Sequence, residues 1–209
     1  VTVGGAIAAD IHGKNHHLKG SWCNHVVSLH LQLADGSVVE IGPDRDPELF
    51  WATAGGMGLT GVILDATFRC PRIGSSQLVV DTDRAADLDA VCELMRTGDH
   101  LYDYSVAWID LMATGANMGR SVLTRGRFAN AEEAAPKIGA DPYKYNASEL
   151  VSAPPFMPAG LLNKLSIRAF NELWFRKAPV ERRDEIQSIP TFFHPLDMVR
   201  GWNRIYGPA

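Results

Sequence analysis

The chain has 209 residues, 46% hydrophobic and 21% charged, with a formal net charge of −4. That is ordinary globular composition with apolar material for a sizeable core, and the length admits one large domain or two small ones. The acidic balance removes any electrostatic reason to expect nucleic acid, and no segment approaches the roughly 18 uninterrupted apolar residues of a membrane span.

The chain opens on Val1-Thr2-Val3-Gly4-Gly5, which reads as a strand running into a glycine turn, with no start methionine or signal peptide before it. It stops on Tyr206-Gly207-Pro208-Ala209, a turn that should lead into another element. The expectation is an internal piece of a longer protein. Val26 to Leu33 alternates as a strand, Ala34-Asp35-Gly36-Ser37 is a turn signal, and Val38 to Ile41 is the return strand of a hairpin. Pro47 to Ala54 reads as a short helix with proline in its first turn, ended by Gly55 and Gly56. Gly61 to Arg69 is a further β segment, and residues 70–76 form a boundary.

Beyond it, Gln77 to Val80 reads as a strand and Ala85 to Met95 as an amphipathic helix bearing Leu88, Val91, Leu94 and Met95. Tyr102 to Ile109 and Ser121 to Thr124 read as strands, so that β-α-β-β order suggests a separate α+β domain. Residues 153–190, with several prolines, read as a long, partly irregular and mobile connection.

Two glycine-bearing motifs could carry chemistry. In Val3 to His17 small residues dominate as far as Ala9, so backbone can approach a ligand closely. Asp10, His12, Lys14, Asn15, His16 and His17 then arrive together, which suits a large planar cofactor beside a reacting centre. The plainer reading is a glycine-rich strand and turn followed by a solvated polar loop. A metal would need His12 and His16 on one helix; Gly13 argues against that, and no Glu follows His12 as in HExxH, so no metal is expected.

The second motif, Gly56 to Gly61, matches GxGxxG, but its order is helix, glycines, strand, the reverse of the dinucleotide-binding fingerprint. Its glycines must instead end a helix and thread backbone past a neighbour or ligand. Trp108 and the Phe192-Phe193 pair could line an apolar pocket, although core packing is the simpler reading. Cys23, Cys70 and Cys92 show neither a CxxC pair nor finger spacing and read as reduced, structural thiols.

Together these segments resemble flavin-dependent oxidoreductases of the vanillyl-alcohol-oxidase, or FAD-linked oxidase, type. The resemblance lies in the Gly-Gly-Ala-Ile-Ala stretch with its His-Gly-Lys-Asn-His-His extension, in residues 48–61, in Phe193-His194-Pro195-Leu196-Asp197-Met198, and in residues 202–208. The extension and the His-Pro-Leu-Asp-Met segment are narrower and point to a subgroup acting on polyprenyl-phosphoryl ribose. The resemblance implies an α+β chain: residues 1–75 as the second part of a PCMH-type FAD-binding domain, and 76–209 as the first part of an antiparallel-sheet substrate (cap) domain.

It further implies non-covalent FAD bordered by Gly4, Gly5, Ala8, Ala9, Ile11, His12, Gly58, Thr60, Gly61, Val62 and Ile63. Gly13, Lys14, Trp108, Phe193 and Leu196 would face substrate, with His12 and Lys14 as catalytic groups. The implied reaction oxidises the ribose 2′-hydroxyl to a ketone, a step of arabinan-donor synthesis for the cell wall. An NAD(P)H-dependent keto-reductase partner would complete the epimerisation. The implied setting is the periphery of the cell envelope, on one face of the inner membrane, with peripheral rather than transmembrane contact. Within the family pattern, a further cofactor loop lies upstream and a further polar stretch downstream, so the isolated piece is expected to be inactive. The alternatives are another FAD-linked sugar or alditol oxidase, and a degenerate binding domain without catalysis.

Overall fold

Two short helices, α1 (Val3–Ala8) and α2 (His16–Lys19), open the chain. The computed structural model describes residues 2–147, 151–152, 162–202 and 204. The expected strand at the N-terminus is thus a helix. Thr2 caps it, its hydroxyl accepting from the Gly5 amide at 3.1 Å, and Ala6 and Ile7 are buried while Val3 is exposed. Packing of that one apolar edge overrides the poor helix propensity of the Gly4-Gly5 pair.

The hairpin is β1 (Val26–Gln32) and β2 (Val38–Ile41); α3 (Pro47–Thr53) follows, then β3 (Val62–Phe68). These strands form an antiparallel sheet in the order β2-β1-β3, with Leu29 facing Ile41 on one side and Ala66 on the other. Ile7, Cys23, Val26, Leu29, Leu31, Ile41 and Phe50 make its core, so α1 and α3 both pack on the inward face of β1. The helix-glycine-strand order expected around Gly56 is present.

The chain divides into two compact units, Val1–Arg72 and Ile73–Ala209. The second contains β4 (Gln77–Ala85), α4 (Leu88–Gly98), β5 (Tyr104–Ile109), β6 (Ser121–Phe128) and α5 (Ala131–Ile138). After these come β7 (Val151–Ser152), α6 (Lys164–Lys177), β8 (Glu181–Ser188), α7 (Ile189–Phe193) and β9 (Val199–Arg200). Strands β5-β6-β4-β8 form one antiparallel sheet, and β7 pairs with β9 in parallel.

Strand β4 is buried almost throughout because it is paired on both edges and covered on both faces. Leu78 and Val80 pack with Tyr104 and with Phe192 of α7. Val79 packs with Ala134 of α5, and Ala85 with Leu123 and with Val91 of α4. Helix α4 starts later than its pattern suggests. Ala85 still belongs to the sheet, opposite Ser121, and Asp87 caps the helix by accepting from the Ala90 amide at 2.8 Å. The chain is an α+β protein.

The irregular connection expected over 153–190 is corrected over its described part. Residues 153–161 lie outside the described residues, but α6 and β8 fill 164–188. Asn163 and Ser166 form a reciprocal cap at the start of α6. Its inner face is fixed by polar groups that sequence spacing does not reveal. Buried Asp110 accepts from Asn171 Nδ2 at 2.6 Å and from Arg120 Nε at 2.9 Å, while Arg120 Nη1 donates to Glu172 at 2.7 Å. The Phe175 ring lies between two guanidinium groups, 4.7 Å from Arg120 and 5.0 Å from Arg84. Arg84 also donates to the carbonyls of Phe175, Arg176 and Ala178, satisfying the end of the helix where its dipole is negative.

Burial pushes the Asp110 carboxyl up, but Arg120, Asn171 and the Met112 amide outweigh it and hold the pKa below the ordinary value. Replacing Asp110 by Ala leaves Arg120 and Asn171 without their acceptor. The expected cost is roughly 3 kcal/mol of stability, read as a lower urea midpoint.

Candidate functional site

Residues 3–17 and 55–61 are distant in sequence, and the first unit brings them together by main-chain hydrogen bonds. The Gly55 amide donates to the Ile7 carbonyl at 3.1 Å and the Met57 amide to the Ala8 carbonyl at 2.8 Å. The glycine loop therefore sits on the C-terminal end of α1. Thr53 and Thr60 hydroxyls, 2.9 Å apart, tie the two ends of that loop to each other.

The glycines do different things. A side chain on Gly56 would strike the Ala52 carbonyl, and one on Gly61 the Gln32 carbonyl of β1, so the fold itself demands glycine at both. Gly4 and Gly58 have no atom within 4 Å of the place a Cβ would occupy, although Gly58, at φ 80°, needs glycine for its backbone. These two leave backbone open to close approach from outside. Gly58, Thr60, Gly61 and Val62 line an open groove of about 480 Å³, whose opposite wall is the β1–β2 turn with Gln32, Leu33 and Gly36. Leu59, which also lines it, is 92% exposed, while Ile63 is half-buried and packs against the core. On α1, Gly4 and Ala8 share a face four residues apart, both half-buried; Gly5, Ala9 and Ile11 are exposed.

The polar cluster is organised by Asp10. Its backbone is left-handed (φ 40°), a conformation that Asp tolerates better than most residues. Its carboxylate accepts from the Ser21 hydroxyl at 2.7 Å and the Cys23 amide at 2.9 Å. Trp22 N donates to Ile11 O at 2.8 Å, and His12 bridges Ser21, so residues 10–13 and 20–23 close into one loop. Burial pushes the Asp10 carboxyl up, but the Cys23 amide and Ser21 hydroxyl together outweigh it, leaving the pKa lowered. Burial, and then Asp10, push the Cys23 thiol up to about 12.

Within that loop His12 and Gly13 are exposed. His12 meets His16 edge to face at 5.2 Å, and His16 Nδ1 lies 3.1 Å from the Gly13 carbonyl. Lys14 is half-buried, and desolvation lowers its pKa. The two histidines meet without sharing a helix, because α2 begins only at His16. Among the described residues no group of three His, Cys, Asp or Glu side chains gathers for a metal.

The three remaining candidates lie in the second unit. Phe193 is half-buried in an aromatic cluster, 5.0 Å from Tyr104, 5.1 Å from Phe192 and 6.2 Å from Phe128 between ring centroids. Half-buried Trp108 is on the same face of β5 as Tyr104, four residues along, and Leu196 is exposed in the turn after α7. The sequence reading missed Ser21 and Cys23 as partners of Asp10. Their only signal is polar and small residues closing a loop that begins at Asp10.

Residues 1–42 match the family model of an FAD-binding domain. The chain is 43% identical over its whole length to decaprenylphosphoryl-beta-D-ribose oxidase of Mycolicibacterium smegmatis, covering 46% of that protein. It is 35% identical to an uncharacterized protein in the mprA 5′ region of Streptomyces coelicolor, over 94% of this chain and 55% of the relative. An FAD-linked oxidoreductase of Alternaria solani is 29% identical over 86% of this chain and 42% of its own length. The chain thus spans about half the length of these relatives.

Asp10→Asn keeps a residue suited to the left-handed backbone but removes the charge from two hydrogen bonds, for an expected loss of about 1.5 kcal/mol. Because folding lowers this carboxyl's pKa, its contribution is full above the unfolded value of about 3.9 and is lost as pH falls through the folded value. Acid melts of the wild type and the variant should converge there. Cys70 and Cys92 are exposed and Cys23 is buried, so a thiol reagent should label two cysteines in the native protein and the third only on unfolding.

Proposed function

We propose that this chain forms part of the FAD cradle and part of the substrate domain of an FAD-dependent oxidoreductase acting on CH–OH. The observation that carries the reading is the pairing of α1 with the glycine loop, which sets two unobstructed glycines, Gly4 and Gly58, in one unit beside a polar loop. Residues 1–75 are assigned to the PCMH-type FAD-binding domain and 76–209 to the antiparallel-sheet cap domain. The substrate we assign is a polyprenyl-phosphoryl-β-D-ribose, since the relative at 43% identity is named decaprenylphosphoryl-beta-D-ribose oxidase, and we take the oxidised position to be its 2′-hydroxyl.

The backbone of Gly4, Gly5, Ala8, Ala9, Ile11 and His12 would border the cofactor, with Gly58, Thr60, Gly61, Val62 and Ile63 on its other edge. Bound flavin supplies a two-electron acceptor for the carbinol hydrogen. His12, exposed on a loop braced by Asp10, would take the hydroxyl proton. Lys14, partly withdrawn from water, offsets negative charge on the oxygen or phosphate, an interaction that strengthens with desolvation. Gly13 leaves room on the substrate side, and Trp108, Phe193 and Leu196 would contact the sugar or the prenyl chain. The FAD is assigned as held without a covalent bond. A keto product calls for an NAD(P)H-dependent reductase partner. The lipid-borne substrate places the enzyme at the periphery of the cell envelope.

The test is a visible spectrum of the full-length protein, followed by anaerobic addition of polyprenyl-phosphoryl ribose or of a free polyol. Bleaching by the first alone supports the substrate. Bleaching by the polyol alone moves the protein to another FAD-linked oxidase, and no flavin after FAD addition sinks the enzyme reading. Gly4→Ala separates cofactor from fold. In an open helical position alanine should stabilise by about 0.5–1 kcal/mol, while FAD binding should weaken roughly tenfold. Unchanged FAD affinity would remove α1 from the cofactor edge. His12→Ala should lower turnover roughly 100-fold with flavin content unchanged.

A further inference from the structure

Helix α6 has its polar and apolar faces reversed. A surface helix normally turns its apolar stripe to the core and its charges to water. Here the inward positions are Asn171, Glu172 and Phe175, engaged with Asp110, Arg120 and Arg84. The outward positions are apolar: Leu165 is 79% exposed, Leu173 71%, Phe170 55% and Trp174 45%. The Phe170 and Trp174 rings stack on that surface at 5.9 Å. Two exposed basic residues, Arg176 and Lys177, lie on the apolar side; Lys164 and Arg168, also exposed, stand seven and three residues before Asn171 and so fall on the inward-facing side of the helix. The helix has one acid, Glu172, and it is bonded to Arg120 and Arg176. In a chain of net charge −4, the helix carries four basic residues against one acid.

We infer that the outer face of α6 lies on an anionic lipid surface, with Leu165, Phe170, Leu173 and Trp174 seated at the headgroup boundary and Arg176 and Lys177 meeting lipid phosphates. Apolar side chains edged by Lys and Arg are the pattern of an interfacial helix. At fourteen residues α6 is about 21 Å long, too short to cross a bilayer, so it would lie in the plane. No helix among the described residues is long and apolar enough to cross. The Asp110–Arg120–Asn171 network holds the helix against the sheet, so it offers a fixed edge rather than a segment that must leave its fold to bind. A protein partner would gain from the apolar face but has no need of cations along its borders; an anionic bilayer uses both. The inference adds to the flavin reading without depending on it.

The experiment is sedimentation of the full-length protein with phosphatidylcholine vesicles, with and without phosphatidylglycerol. Flavin absorbance in the pellet and supernatant is read separately, so loss of cofactor and loss of lipid binding are distinct results. Binding is expected to the anionic vesicles, and to weaken about tenfold both in Leu165→Gln/Leu173→Gln and in Arg176→Gln/Lys177→Gln. The second variant leaves apolar packing alone and serves if the first does not fold. No binding to either vesicle, or binding that neither variant changes, overturns the inference. Self-association in the absence of lipid that Leu165→Gln/Leu173→Gln abolishes would assign the face to a second copy and overturn it as well.

Discussion

Two amide hydrogen bonds, from Gly55 to the Ile7 carbonyl and from Met57 to the Ala8 carbonyl, position everything in the first unit that could meet a cofactor. The carbonyls at the end of α1 need donors because a six-residue helix has few internal ones. The glycine loop provides them, and in doing so it must pass so close to α3 and β1 that Gly56 and Gly61 have no room for a side chain. Helix termination, loop path and groove shape are therefore one constraint. The Asp10 clamp adds a second loop to the same helix end, which brings His12 and Lys14 near the helix.

The hairpin, α3 and β3 were legible in the sequence because each has strong local punctuation: a turn signal at residues 34–37, a proline at the start of α3 and paired glycines at its end. The N-terminal helix was not. Glycine and valine there look like strand and turn, and only burial of Ala6 and of Ile7, the latter in one core with Val26, Leu29 and Leu31 of β1, decides otherwise. The boundary of α4 slipped because Ala85 fits a helix as well as a strand, and its pairing with Ser121 settles the matter. In the candidate site, glycine-rich segments could be recognised, but not which glycines serve the fold and which leave space. That depends on distances to the Ala52 and Gln32 carbonyls, which no spacing encodes.

The second unit illustrates how polar contacts between distant residues escape a pattern search. Asp110, Arg120, Asn171 and Glu172 are ordinary residues in sequence, and a search for apolar periodicity finds α6 facing the wrong way. Its inner face is ionic and its outer face apolar, so composition suggested an irregular connection where a capped helix stands. The network holds an element that hydrophobic burial alone would turn over. Buried ion pairs gain little net stability over apolar packing of the same volume, but they can specify orientation.

Strand β4 has a consequence for how the chain is made. One edge is covered by β6, close behind it in sequence, but the other must wait for β8, where Gln77 faces Ser188. Closing such a long loop before any contact repays it makes pairing slow. During synthesis the apolar strand Leu78-Val79-Val80 therefore keeps one flank bare until residues 185–187 of β8 have been made. A bare, apolar strand edge is a template for pairing with neighbouring molecules. The nascent chain is thus most open to such pairing in the interval before β8 is made.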